Sequence, residues 1–182
     1  MDWRFVREAC TIYTALPTSI DGAQAILAHA APLTVKGDPG ITNERLAQVI
    51  RCYWDALQIP IVVQREVGRC LRDIPIHCRY ESAGQRFGSH GLDRYLRTID
   101  IARWQKSVCD AHGWSCVMVI SFHPHLWRVA RVTEKLGLNV CVPSIPAIPF
   151  DRTSVYAWTR CASLFAPLEI IQRLDYIRRG WI

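Results

Sequence analysis

No stretch of the chain approaches the ~20 consecutive apolar residues that a membrane-spanning helix needs. The opening Met1-Asp2-Trp3-Arg4 carries mixed charge and no apolar run follows it, which is unlike a secretory leader. Both absences lead to the expectation of a soluble cytoplasmic protein with no membrane partner. There is no Cys-x-x-Cys, and the eight cysteines form no set with histidine at zinc-finger spacing. Most of them sit inside apolar runs, where a free thiol behaves as a small hydrophobe, so reduced cysteines in a reducing compartment are expected. Lysine is scarce: only Lys36, Lys106 and Lys135 among 22 basic residues, the rest being arginine. No basic run exists despite a net charge of +6. That scatter argues against nucleic acid, which wants one continuous basic face, and for an anionic small molecule or an acidic surface. Neither phosphate-binding glycine fingerprint is present, and no internal repeat, low-complexity tract or linker interrupts the chain.

What is present reads as one α/β domain over residues 1–182. Half of its 182 residues are hydrophobic and 21% are charged, an ordinary globular balance. Residues 1–20 form a short helical preamble. Residues 24–29 read as a first strand, followed by a polar loop with Lys36-Gly37-Asp38-Pro39-Gly40. A helix follows, with Thr42 or Asn43 as its cap and Leu46, Val49, Ile50, Tyr53 and Leu57 at helical spacing. A second strand covers 59–64. The connection 65–73 has room for at most two helical turns, and 74–80 is a third strand that Pro75 places at an edge. The polar, glycine-containing loop 81–91 precedes a long helix over 92–111, stopped by Gly113. A fourth strand over 116–121 feeds a helix over 125–136. Then come a fifth strand over 139–143, an irregular proline-rich segment to 150, and two C-terminal helices within 153–182 separated at Pro167. Leu168, Ile171, Leu174 and Ile177 make an apolar stripe on the last of these.

Alternating strands and helices imply a Rossmann-like open, mainly parallel five-stranded sheet with helices on both faces. Right-handed crossovers winding outward in two directions give the strand order 3-2-1-4-5. Ligands of such sheets bind at the carboxyl ends of the strands where the winding reverses, here between strands one and four. Loops 30–42, 81–91 and 121–128 are the three expected to reach that crevice.

The fourth strand ends in Ser121-Phe122-His123-Pro124-His125-Leu126-Trp127-Arg128. His125 and Arg128 are i and i+3 on one helix face, at an N-terminus whose backbone N–H groups already favour an anion. Arg128 suits a clamp on phosphate or carboxylate, and His125 suits proton transfer or orientation of a water. The plainer alternative is that Arg128 pairs with Glu134 or Asp100 while His125 caps the helix. His123 and His125 resemble a metal-ligand pair, but a third ligand would have to come from elsewhere, such as Asp38 or Glu81, and no metal is assigned. Ser121 lacks the glycine-flanked elbow of a nucleophilic serine and is read as a ligand-binding residue. Glu81, directly after the third strand, suits a base or a partner for a ribose hydroxyl. Asp38 is placed in the pocket by its position after the first strand. Trp127 suits stacking on a base or adenine ring, against the simpler reading of a core residue.

The run Val119-Ile120-Ser121-Phe122-His123-Pro124-His125-Leu126-Trp127-Arg128-Val129 resembles the YdcF-like family, the domain shared with SanA and ElyC. Family members carry a strand, a small polar turn, then a histidine and an arginine three residues later, positions that His125 and Arg128 match. Glu81 matches the family's glutamate after the third strand. The closing Tyr176-Ile177-Arg178-Arg179-Gly180-Trp181-Ile182 is similar to the aromatic, Gly-Trp ending of several members. The family's glycine-rich turn after the first strand is replaced by His29-Ala30-Ala31-Pro32. The resemblance implies a Rossmann-like domain with a pocket for S-adenosylmethionine or a nucleotide-like ligand, and no named reaction.

These observations give the expectation of a protein that binds an anionic, nucleotide-type small molecule. His125 and Glu81 would handle protons, and Arg128, Ser121, His123, Asp38 and Trp127 would bind the ligand. Any chemistry would be hydrolysis or group transfer at a phosphate ester. The alternative is a non-catalytic interaction module, docking a partner or a second copy through the C-terminal helices.

Overall fold

The computed structural model describes Arg7, Cys10 and residues 15–80 and 97–182. The expected N-terminal helix, the loop 81–91 with Glu81, and residues 92–96 of the expected long helix lie outside the described residues; the described helix begins at Thr98, after an extended Arg97.

The sheet is built from β1 (Ala25–Ala28), β2 (Ile61–Gln64), β3 (Cys78–Tyr80), β4 (Cys116–Ile120) and β5 (Asn139–Cys141). All four pairings are parallel and the order is β3-β2-β1-β4-β5, as the alternation of elements requires. β1 is central. Its four residues are fully buried on both faces, so it reads as an unbroken apolar run rather than an alternating one. Ile26 pairs with both Ile61 and Met118, and Ala28 with Val63 and Ile120. β3 lies at one edge, where Pro75 places it.

One face of the sheet packs Ile26, Ile61, Val63, Met118 and Ile120 against Leu46, Ala47 and Ile50 of α1 (Gly40–Leu57). The other packs Leu27, Val62, Val117 and Val119 against Cys109 of α3 (Thr98–His112) and against Leu126 and Val129 of α4 (His123–Lys135). Each such Leu, Ile or Val contributes roughly 1.5–3 kcal/mol by leaving water. The connection after β2 holds a single turn, α2 (Arg65–Gly68), within the limit its length sets. Gly113 ends α3 with φ 69°, a left-handed conformation that a glycine adopts without strain.

Two local expectations are corrected. Thr42 and Asn43 do not cap α1, which already begins at Gly40. The cap comes instead from Asp151, whose Oδ2 accepts from the Ile41 N–H at 3.0 Å across 110 positions of sequence. Gly40 permits this approach: a Cβ there would stand 1.9 Å from Asp151 Oδ2, and its φ of +74° is strained for any other residue. The C-terminal region is not two helices parted at Pro167. It is a 3₁₀ turn at Ala157–Thr159 followed by one helix, α5 (Ala162–Arg178), that runs through Pro167. Pro167 forfeits only the bond to the carbonyl four residues back, close to the start of the helix. The buried contacts of Glu169, Arg173 and Tyr176 hold the turns that follow. No helix among the described residues is long and apolar enough to cross a membrane.

Candidate functional site

The carboxyl ends of β1 and β4 are held together one residue past the strands, where the His29 N–H donates to the Ile120 carbonyl at 3.0 Å. Beyond this point the chain turns away on both sides and a crevice opens. Its floor loop is braced from neighbouring elements. The Ala30 N–H donates to Gln64 Oε1 at 2.7 Å, and the Ala31 N–H to Asn43 Oδ1 at 2.8 Å. Asn43 Nδ2 donates back to the carbonyls of Ala31 and Pro39. The roof is the segment around Ser154, bridged in antiparallel fashion to Thr34.

The cavity between them has a free volume of about 50 Å³ and opens to solvent at its mouth. Ala31, Pro32, Phe122, Phe165, Leu168 and Trp158 give its apolar wall. His125, Arg128, Glu169, Asp151 and Ser154 are among its polar groups. Trp158 is partly exposed at the mouth and stacks on Tyr156 at 4.7 Å.

The polar wall is a buried ion cluster between α4 and α5. Arg128 is 4% exposed. Its Nε donates to Glu169 Oε1 at 3.0 Å and its Nη2 to Glu169 Oε2 at 2.7 Å, a bidentate pair. Its Nη1 donates to Thr98 Oγ1 at 2.9 Å, and its guanidinium stands over the Tyr176 ring. Arg173 completes the cluster: Nε donates to Glu169 Oε1 at 3.1 Å and Nη2 to the Pro124 carbonyl at 2.7 Å. Burial alone would raise the Glu169 pKa. The charge of Arg128 and the two hydrogen bonds it donates outweigh it and hold the carboxyl well below its ordinary range. Arg128 therefore pairs neither with Glu134 nor with Asp100, which bond Arg131 and Arg97.

His125 sits at the cavity edge of this cluster. Its Nδ1 accepts from Arg128 Nη2 at 3.0 Å, which fixes the proton of the neutral ring on Nε2, 3.4 Å from Thr98 Oγ1. Burial, then the Arg128 charge, lowers its pKa against the opposing pull of Glu169. Glu169 Oε2 is 3.6 Å from the same Nδ1, too far to compete with the Arg128 bond. His125 is thus a neutral donor facing the cavity.

Beneath it lies a second imidazole. His29 is 1% exposed, its ring centroid 6.2 Å from that of His125. Its Nε2 bonds Gln105 Oε1 at 2.8 Å, while Nδ1 has no partner among the described residues. Burial, then repulsion from His125 whenever that ring is protonated and from the Arg128 charge, pushes its pKa down to about 3, against the Gln105 bond. Ser121 Oγ, buried at the end of β4 beside it, is likewise without a partner among the described residues.

Of the residues singled out from sequence, His125 and Arg128 line the cavity, whereas Ser121 is fully buried and does not line it. His123 turns the other way: its Nε2 bonds the Ile145 carbonyl at 3.1 Å and its Nδ1 accepts from the Ile148 N–H at 3.5 Å. His123 and His125 therefore do not converge as a ligand pair, and no group of three metal-ligating side chains occurs among the described residues. Asp38 lines a separate polar groove with Arg51, Arg69 and Arg72 instead of the cavity. Trp127 is 2% exposed, with the Arg173 guanidinium 4.7 Å from its ring, so it packs in the interior and presents no face to the cavity. The aromatic ring at the mouth is Trp158. Glu81 lies outside the described residues.

Sequence reasoning missed Glu169, Thr98, Arg173 and His29. Only His29 left a local signal, as the first polar residue after the first strand at the point where the winding reverses. No family model, no curated protein and no solved structure matches the chain.

Proposed function

We propose that this cavity binds an anionic, nucleotide-type small molecule, as a cytoplasmic protein of the YdcF-like kind would. The observation that carries the reading is the pairing of two walls in one cavity at the carboxyl ends of β1 and β4. One wall is aromatic, with Trp158, Phe165 and Phe122; the other is the ion cluster. In that cluster two arginines face one carboxylate beside a neutral imidazole, so its charge is one positive in excess. A base or comparable ring stacks at Trp158, and the anionic end lies toward His125. The imidazole Nε2–H donates to an anionic oxygen in place of its long contact with Thr98. Arg128, engaged by Glu169 and Thr98, orients His125 and supplies positive potential; it is not the direct clamp its position in sequence suggests.

The chemistry we attach to this site is hydrolysis or group transfer at a phosphate ester. In hydrolysis a water oxygen bonds to phosphorus, the ester P–O bond breaks, and the proton released by the water ends on the departing alcohol. His125, whose Nδ1 is engaged by Arg128, donates its Nε2–H hydrogen bond to a phosphate oxygen as charge builds there, and the proton of the water passes through solvent to the departing alcohol. The test is a thermal-shift panel of nucleotides, S-adenosylmethionine and sugar phosphates on wild type and His125→Ala. A nucleotide that raises the wild-type Tm and leaves the variant unmoved is the expected result. Equal shifts in both, or no shift with any compound, would overturn the reading.

A second reading rests on a different observation. Leu164, Leu168, Ile171 and Leu174 of α5 are exposed, Ile171 to 60%. A contiguous apolar strip on one helix suits a docking surface. For a second copy of the chain as the occupant, light scattering should give a mass above 20.8 kDa that Ile171→Glu returns to the monomer value. A wild-type monomer at all concentrations would contradict it.

A further inference from the structure

At the opposite end of the sheet from the cavity, two histidines point at one another. His77 directly precedes β3 and is anchored by its N–H to the Ile61 carbonyl at 3.0 Å. His112 is the last residue of α3. Both are exposed, and their Nε2 atoms are 2.9 Å apart. The ring planes cross at 78° with centroids 4.5 Å apart. The indole of Trp114 stacks on His112 at 4.6 Å and 18°, and meets His77 edge-on at 5.1 Å. The Trp114 N–H is tied back to the Cys109 carbonyl at 2.9 Å. The His112 ring thus lies against the indole of Trp114, whose backbone is tied to the end of α3.

We infer that His77 and His112 form a two-imidazole site for a divalent transition-metal ion. The ion is one that takes cis nitrogen ligands at a right angle, of the Ni(II) or Cu(II) kind. The spacing suits that geometry. With metal–nitrogen bonds of about 2.0–2.1 Å, two cis ligands at 90° place their nitrogens about 2.9 Å apart, and a tetrahedral pair about 3.4 Å apart. The observed 2.9 Å is the hydrogen bond that joins the two rings without metal, and it holds the nitrogens at the right-angle spacing. The ring centroids agree. Nitrogens lying on a straight line between the rings would put the centroids about 5.2 Å apart, whereas two rings pointing at one metal at 90° put them about 4.4 Å apart. The observed 4.5 Å is the second arrangement. Both nitrogens are at the surface, so a hydrated ion reaches them without crossing the core, and waters complete its coordination. In the metal-free pair one Nε2 carries the shared proton. On binding, that ring moves its proton to Nδ1, both Nε2 lone pairs reach the metal, and no proton need leave the protein.

The experiment is calorimetric titration of Ni(II) into the chelator-treated full-length chain, with Zn(II) as the comparison ion. Ni(II), unlike Cu(II), does not oxidise the exposed thiols of Cys10 and Cys52. The expected result is one Ni(II) per chain, bound tighter than Zn(II), with affinity at least tenfold lower in both His77→Ala and His112→Ala. His77→Gln and His112→Gln, which keep polar side chains of similar reach, should lose it equally and serve if an alanine variant unfolds. Trp114 fluorescence should fall on Ni(II) addition in wild type, and that change should vanish in Trp114→Phe while Ni(II) still binds. No binding, or binding unchanged in either histidine variant, would overturn the site. Zn(II) bound as tightly as Ni(II) through the same two residues would overturn the right-angle geometry.

Discussion

Helices α4 and α5 share one ion cluster and bury opposite kinds of residue. α4 turns Leu126, Trp127, Val129, Ala130 and Val132 inward. α5 turns Glu169, Arg173 and Tyr176 inward and leaves Leu164, Leu168, Ile171 and Leu174 in water. In α4 hydrophobic transfer chooses the buried face. In α5 the choice follows from pairing. A buried charge costs several kcal/mol, and Glu169 recovers that cost only by sitting between Arg128 and Arg173. Replacing such a set with apolar residues is often harmless to stability, so a buried ion cluster is weak evidence for stability alone. Its place on the cavity wall is what gives it a use.

The largest expected effect breaks the polar half of that comparison. Glu169→Ala leaves two buried guanidinium groups facing each other and should cost about 3–5 kcal/mol in urea unfolding. Glu169→Gln, which keeps an acceptor, should cost less. A loss under about 1 kcal/mol for Glu169→Ala would mean that the cluster is open to water. The apolar half comes next. Leu126→Ala, at a site 2% exposed, should cost about 2–5 kcal/mol, read from the same unfolding curves.

Acid should act on the imidazoles next. In the folded chain the His29 pKa is pushed down to about 3 and that of His125 is also lowered, so both stay neutral where the unfolded chain takes up protons. Their stabilising effect is complete above the ordinary histidine value of about 6.5 and is lost as pH falls, for His29 down to about 3. A full proton difference contributes about 1.4 kcal/mol per pH unit, so His29→Gln should flatten the acid limb of stability against pH by about that slope. An unchanged slope would place His29 in contact with solvent. The smallest effect lies on the exposed stripe: Ile171→Ser should move stability by no more than about 0.5 kcal/mol, checked by thermal unfolding. A larger loss would show that the stripe is covered.

The strand order was legible because it needs only the alternation of elements and the hand of the crossovers, and Pro75 marked β3 as an edge. His125 and Arg128 were legible because they follow the fourth strand at helix spacing. Their partner was not, because Glu169 lies 41 positions away on a helix whose apolar stripe draws attention to its other face. Asp38 follows β1 as a pocket residue should, but the loop carries it to a groove beside Arg69 and Arg72. Trp127 and Trp158 look alike as isolated letters. Only packing shows that the first is core and the second is at the mouth. The α1 cap from Asp151 likewise comes from the far end of the chain, where no local pattern can point to it.

The most direct test of the cavity is an amide chemical-shift map recorded while a nucleoside monophosphate is titrated into the ¹⁵N-labelled chain. The account predicts that the perturbed amides cluster at Ala30 and Ala31, at Phe122 and His125, and at Ser154, Trp158 and Thr159, with the Trp158 indole N–H among the largest shifts. Shifts confined to the Asp38 groove, or to the His77–His112 end of the sheet, would contradict it.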